Sequence, residues 1–206
     1  MLRILRQSAT IRYVTDFHVR RLPHYVLTDR PIFLTWRLSG TLPPGRSFGS
    51  PITSGQAFLA MDRLLDNARC GPLYLGQPEI ATIVVDAIRY RNGGPYRLHN
   101  YVVMANHVHL LISPRVPVSR LMQSLKRFTA REANRILGLT GRPFWQDESY
   151  DRLVRNKVEF ERIAGYIEMN PVRAGLVATP EEFPWSSARP IANRPQIDNL
   201  PHTRLI

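Results

Sequence analysis

The run His107-Val108-His109 holds the most pointed chemistry in the chain. On a β-strand alternate side chains leave the same face, so both imidazoles emerge together while Val108 and Leu110 enter the other side. Two neutral imidazoles placed this way can ligate a divalent cation. The same spacing also fits a solvated or core histidine pair, and the three residues alone do not decide. Further along, Tyr166 and Asn170 stand at i and i+4 of a segment whose apolar residues Phe160, Ile163, Ala164 and Ile167 repeat at helical spacing. They fall on the flank of that stripe, where polar tips face whatever lies beside the core. A packing tyrosine and an amide that caps the helix before Pro171 fit this pattern too.

Taken together the four residues suggest a reaction. A tyrosine hydroxyl is a poor nucleophile at neutral pH because its pKa is about 10. It becomes usable on a phosphodiester when a metal neutralises the charge that develops on the phosphate. His107, His109 and the amide oxygen of Asn170 would leave open positions on an octahedral Mg²⁺ or Mn²⁺. Tyr150 is a rival nucleophile by spacing, but it lies in a strand-like run. Glu148 and Glu168 read as solvated charges or as supports of such a site, and Phe144 and Trp145 as core aromatics or base-stacking platforms.

The elements that must position these residues follow from pattern. Pro31 to Leu38 is β-branched and aromatic, a first strand. Ser54 opens a helix with Phe58, Met61, Leu64 and Leu65 on one stripe, ending near Arg69 before Gly71-Pro72. Pro78 starts another, with Ile80, Ile83, Val84 and Ala87 inward, which stops at Asn92-Gly93-Gly94-Pro95. Two strands, Tyr96 to Met104 and His107 to Ser113, meet through Ala105-Asn106 as a hairpin. Ser119 can cap a third helix that ends at Gly138. Residues 150–155 form a short strand, and Asn156 caps a last helix closed by Pro171. With the first two helices taken as one crossover layer, the order is βαββαβ plus a C-terminal helix carrying the tyrosine. This predicts an α+β, ferredoxin-like antiparallel sheet with helices on one face. A basic arm over 1–30, a domain over 31–177 and a tail over 178–206 complete the expected organisation.

Charge narrows the partner. The chain of 206 residues carries a formal net charge of +12 and a pI near 10.8, and Lys126 and Lys157 are its only lysines. An arginine excess favours a polyanion, since the planar guanidinium can donate two hydrogen bonds to one phosphate. Arg115, Arg120, Lys126, Arg127, Arg131, Arg135 and Arg142 concentrate this charge in a stretch with one acid, Glu132. A coding bias explains arginine in place of lysine but not the excess of cations. The single cysteine, Cys70, excludes an internal disulfide framework. No apolar run reaches the ~18 residues of a membrane span. The first residues lack a signal-peptide hydrophobic region. A cytoplasmic protein is the expectation.

The run Asn106-His107-Val108-His109-Leu110-Leu111 resembles the His-hydrophobic-His motif of single-strand tyrosine nucleases. Ser124-Leu125-Lys126, Phe144-Trp145-Gln146, Tyr166 to Leu176 and Pro184-Trp185-Ser186-Ser187 follow in the same order. Over roughly residues 22–190 the set resembles the tyrosine transposases associated with repetitive extragenic palindromes, relatives of the single-tyrosine (HUH) insertion-sequence transposases. The resemblance implies that Tyr166 attacks single-stranded DNA, in the form of a palindromic hairpin, to give a 5′-phosphotyrosine. It also implies that His107 and His109 hold the metal. In the insertion-sequence relatives a glutamine one helical turn after the tyrosine completes the metal site; here that position is Asn170, one methylene shorter. Those relatives work as dimers, which leaves a homodimer open. The alternatives are a non-catalytic binder of structured nucleic acid and a metal-dependent phosphoesterase that needs no tyrosine.

Overall fold

The computed structural model of the chain describes residues 30–42, 54–67 and 71–188. The arm expected over 1–30 lies outside the described residues except for Arg30, as does the tail beyond residue 188. Strands β1 (Ile32–Arg37), β2 (Tyr96–Val103), β3 (His107–Pro114) and β4 (Tyr150–Leu153) form one antiparallel sheet in the order β2-β3-β1-β4. Helices α1 (Ser54–Asp66), α2 (Pro78–Tyr90), α3 (Val118–Leu137), α4 (Lys157–Glu168) and the short α5 (Asn170–Arg173) complete the described elements together with two 3₁₀ turns. The ferredoxin-like order expected from the sequence is therefore present, with α4 added after the last strand.

The helices divide between the two faces of the sheet. Ile32, Leu34 and Trp36 of β1 and Val108, Leu110 and Ile112 of β3 meet Ile80, Val84 and Ile88 of α2 and Leu121 and Leu125 of α3 in the larger core. Phe33, Val102 and Leu111 point the other way, into a smaller core with Phe58 of α1 and Ile163 and Ile167 of α4. The prediction that α1 and α2 form one layer, with helices on one face only, is thus corrected. Every residue of β3 is buried, so both faces of the sheet need a cover. α1 and α4 supply the second one.

Local chemistry explains most boundaries. Asn156 accepts a hydrogen bond from the Glu159 amide at 2.9 Å and caps α4. α3 ends on Gly138 at φ 67°, a left-handed turn that suits glycine. Gly71 is needed for room as well, because a Cβ there would meet the Gly40 carbonyl oxygen at 2.4 Å. Ser119 is not the cap of α3: Pro117 takes that position at φ −52°, already set for a helical start, and Val118 begins the helix. Pro171 does not close the last helix either. It lies in the first turn of α5, where its missing N–H costs no hydrogen bond.

Part of the expected tail belongs to the sheet. The Val103 amide donates to the Trp185 carbonyl and the Ser187 amide to the Tyr101 carbonyl, both at 2.9 Å. Residues 185–187 thereby cover the free side of β2, satisfying backbone groups that an edge strand leaves open. The Pro184-Trp185-Ser186-Ser187 motif has this structural job. Phe144 and Trp145 are likewise core residues; the Trp145 indole donates to Thr129 at 2.9 Å.

Candidate metal and tyrosine site

Strand alternation sends His107 and His109 to the face covered by α1 and α4, and both are fully buried. Each ring is oriented from behind. The amide nitrogen of Asn106 donates to the Leu65 carbonyl at 2.9 Å, which leaves its oxygen to accept from His107 Nδ1 at 2.7 Å. His109 Nδ1 meets Thr35 Oγ1 at 2.8 Å, directly across the β1–β3 pairing. With both Nδ1 atoms engaged, the two Nε2 atoms face each other 3.2 Å apart. Supports of this kind fix tautomer and ring plane in metal sites.

α1 supplies a third group that the sequence motifs did not reveal. Asp62 is buried, and its Oδ1 lies 3.1 Å from His109 Nε2 and 3.6 Å from His107 Nε2. Two donors each ~2.1 Å from one ion and at right angles lie about 3 Å apart, so this spacing fits a shared cation. Asp62 Oδ1 and the oxygen of fully buried Asn170 have no hydrogen-bond partner. Buried oxygens left open in this way are unusual, and the convergence of Asp62 Oδ1 with two imidazoles is what a divalent ion would satisfy. Asp62, His107 and His109 form the candidate metal cluster among the described residues.

The electrostatics agree. Burial and the neighbouring His109 push His107 down to about 3, Asp62 only partly opposing them, so it is a neutral ligand at physiological pH. Burial pushes Asp62 upward, but His109, His107 and Arg173 outweigh it and hold the carboxyl below its ordinary value. Asp66, one turn further on α1, is raised to about 6 by burial and by Asp62. Its Oδ1 is 3.8 Å from His107 Nε2 and also lacks a hydrogen bond.

Asp66 yields a stability prediction. Its folded pKa lies above the unfolded value, so the folded state binds the extra proton between about pH 4 and 6. The metal-free protein therefore loses stability as pH rises through that window. Asp66→Asn should stabilise the metal-free chain by roughly 1–3 kcal/mol at pH 7.5 and by little at pH 4. Thermal unfolding in EDTA at the two pH values checks this.

Tyr166 stands at the same place. Its hydroxyl donates a hydrogen bond to Asp62 Oδ2. Its ring packs among Phe33, Phe58 and His109 at centroid distances of 6.4, 6.0 and 5.7 Å. Arg173 covers the other part of the ring, 4.0 Å from its centroid. Asn170 follows after α4 has given way to α5, yet it remains beside the tyrosine. Its Nδ2 is 3.4 Å from His109 Nε2 and 3.5 Å from Asp62 Oδ2. The four residues singled out from sequence are thus brought together, and Asp62, Asp66 and Arg173 join them. Tyr150 lies on the same face but stacks on Phe58 at 4.5 Å.

The predicted cationic stretch is elsewhere. Arg120, Arg127, Arg131 and Arg135 of α3, and Arg142 beyond it, are exposed on the side of the sheet opposite the histidines. Arg131 and Arg135 share Glu132 at 2.8 and 3.6 Å, surface pairs that leave the guanidinium groups available. Arg115 braces the Gly93 and Gly94 carbonyls. Lys126 donates to the carbonyls of Gln146, Asp147 and Glu148 at 2.9, 3.1 and 3.3 Å, so its ammonium holds a loop. Glu168 accepts from Asn100 at 2.7 Å.

Residues 88–170 match the family model described as transposase, IS200-like. The matched span runs from the end of α2 to Asn170, so it includes His107, His109 and Tyr166 and leaves out α1 with Asp62. A solved structure described as a REP-associated tyrosine transposase bound to a REP hairpin is similar at 18% identity and a TM-score of 0.48, covering 90% of this chain and 98% of that one. The comparison with curated proteins finds no match. Among the described residues no helix is long and apolar enough to cross a membrane.

Proposed function

We propose that the protein is a metal-dependent transposase-type nuclease that cuts and rejoins single-stranded or hairpin DNA through Tyr166. The observation that carries this is one carboxylate. Asp62 accepts the Tyr166 hydroxyl on one oxygen and offers the other to the two histidines. Nucleophile and candidate metal site therefore share a residue. His107, His109, Asp62 and Asn170, its amide turned to present oxygen, would hold Mg²⁺ or Mn²⁺. The bound ion would neutralise the phosphate and raise its reactivity.

The chain's own residues account for the rest. Tyr166 Oη forms a bond to phosphorus as the bond from phosphorus to the 3′ oxygen breaks, giving a 5′-phosphotyrosine and a free 3′-OH. Asp62 Oδ2 is placed to take the tyrosine proton, which ends on the departing 3′ oxygen. Attack by another 3′-OH reverses these steps and joins new ends. The phosphodiester energy is kept in the tyrosine ester throughout, so strand transfer needs no nucleotide hydrolysis.

Hairpin DNA labelled at its 3′ end, incubated with the protein and Mn²⁺ and then run on a denaturing gel, tests this reading. A labelled band at the mass of protein plus DNA fragment is expected. Shortened DNA without the adduct would instead identify a hydrolytic phosphoesterase, and binding without either product a non-catalytic binder.

The exposed cations of α3 fit the stem or flanking strand rather than the nucleotides at the cut, because they lie across the sheet from Tyr166. Arg127→Ala with Arg131→Ala should flatten the log–log salt dependence of binding by about 0.7 for each single-strand phosphate that the variant no longer neutralises. A titration of affinity against salt measures it, and an unchanged slope moves the DNA to another face.

A further inference from the structure

Arg173 is a cation beside the nucleophile that forms no ion pair among the described residues. Its guanidinium lies 4.0 Å from the centre of the Tyr166 ring, and its charge is felt by both Asp62 and Asp66. Two other arginines of this face are differently employed. Arg152 is bound to buried Glu159 through two nitrogens, and Arg162 reaches the same carboxylate at 3.6 Å. Among the described residues no carboxylate or carbonyl accepts from the Arg173 side chain, which is exposed. Stacking on an aromatic ring uses the face of a guanidinium and leaves its N–H edges open, and those edges match two oxygens of a phosphate.

The position is also fixed. Arg173 ends α5, whose start at Asn170 is buried at the candidate metal site, and its backbone amide donates to Met169 at 3.0 Å. One short helical turn therefore carries the candidate ligand at one end and the stacked arginine at the other. A phosphate close enough for the Tyr166 hydroxyl to attack would come within reach of that guanidinium.

We propose that Arg173 binds the scissile phosphate, holding a non-bridging oxygen beside the Tyr166 hydroxyl. This rests on the nuclease reading given above. During attack negative charge grows on the non-bridging oxygens, and a donor already in place stabilises it without rearranging. The arginine thus contributes more as the bond to tyrosine forms than in the initial complex.

The test couples the residue to one atom of the substrate. Single-turnover adduct formation is measured for wild type, Arg173→Ala and Arg173→Lys with saturating hairpin DNA and Mn²⁺. The DNA carries either an ordinary scissile phosphate or one of the two methylphosphonate diastereomers, each lacking one non-bridging oxygen. Arg173→Ala should slow the ordinary substrate by about 10²–10³-fold, the range for loss of one oxyanion donor. Arg173→Lys should recover part of the rate, since it keeps the charge but not the fork. For one diastereomer the wild-type rate should fall to that of Arg173→Ala, and the alanine variant should lose nothing further. Equal slowing of all three substrates by Arg173→Ala would show that the arginine only props the ring, and overturns the proposal. An unchanged rate overturns it too. If wild type forms no adduct with the ordinary substrate, the nuclease reading itself fails; an adduct with Arg173 uncoupled removes the phosphate contact alone.

Discussion

Tyr166→Phe should abolish the covalent protein–DNA adduct, lowering its rate of formation by at least about 10⁴-fold, the scale seen when a nucleophile is removed from a preorganised site. The substitution takes away one oxygen and leaves the ring among Phe33, Phe58 and Arg173. Affinity for hairpin DNA should stay within a few-fold of wild type. The fold should survive with a modest loss, because Asp62 Oδ2 keeps only the Asn170 amide at 3.5 Å once the hydroxyl is gone. A buried acceptor deprived of its donor costs about 1–3 kcal/mol, or a melting temperature several degrees lower. Tyr150→Phe serves as the control, since its ring packs on Phe58 away from the histidine pair. Peptide mapping of the wild-type adduct gives the same answer by another route. An adduct on Tyr150, or unimpaired cleavage by Tyr166→Phe, would refute the assignment.

The second large effect concerns Asp62 and the histidines. Asp62→Asn, His107→Ala and His109→Ala should each reduce cleavage by about 10³-fold or more, the several kcal/mol that a metal contributes to phosphate chemistry. EDTA should reproduce the defect in wild type. Hairpin binding should be little changed, since the exposed cations are untouched. Isothermal titration with Mn²⁺ in the absence of DNA separates ligand loss from loss of the proton acceptor. Weakened binding for all three variants is expected, and wild-type metal affinity in Asp62→Asn would remove Asp62 from the ligand set. Asn170→Ala should be milder and should recover in part with excess Mn²⁺. A defect that no concentration of ion repairs would mean that Asn170 is holding the junction of α4 and α5 instead.

The strand order was readable because each boundary has local chemistry. Ala105-Asn106 between two alternating runs fixes the hairpin, Gly138 the end of α3 and Asn156 the start of α4. The histidine pair was readable for the same reason, since alternation needs no tertiary information. The side of the sheet taken by α1 is a different kind of fact. Phe58, Met61, Leu64 and Leu65 say that the helix has a buried stripe, not which surface buries it. With α1 set beside α2, Asp62 had no reason to be near the histidines. A signal was nevertheless present: Asp62 follows Phe58 by one helical turn and precedes Leu65 by three residues, so an acid interrupts the apolar stripe itself. The arginines of α3 show the converse limit. A dense charge run points to a polyanionic partner, but not to where it would sit relative to the histidines and Tyr166, and here a whole sheet lies between them.

The acid set into that stripe has an evolutionary consequence. A buried carboxylate with an open oxygen is a standing defect in an ion-free fold, and proteins tolerate such defects where function maintains them. Asp62→Leu would extend the contact between Phe58 and Leu65 and should yield a chain more stable without metal than the original, yet inert. Drift in any copy released from selection for cutting DNA therefore runs downhill toward loss of this residue, and the copy would keep its sheet and its arginines. Across related chains, an acid retained at this point of α1 would separate working enzymes from well-folded remnants more sharply than the histidine motif does.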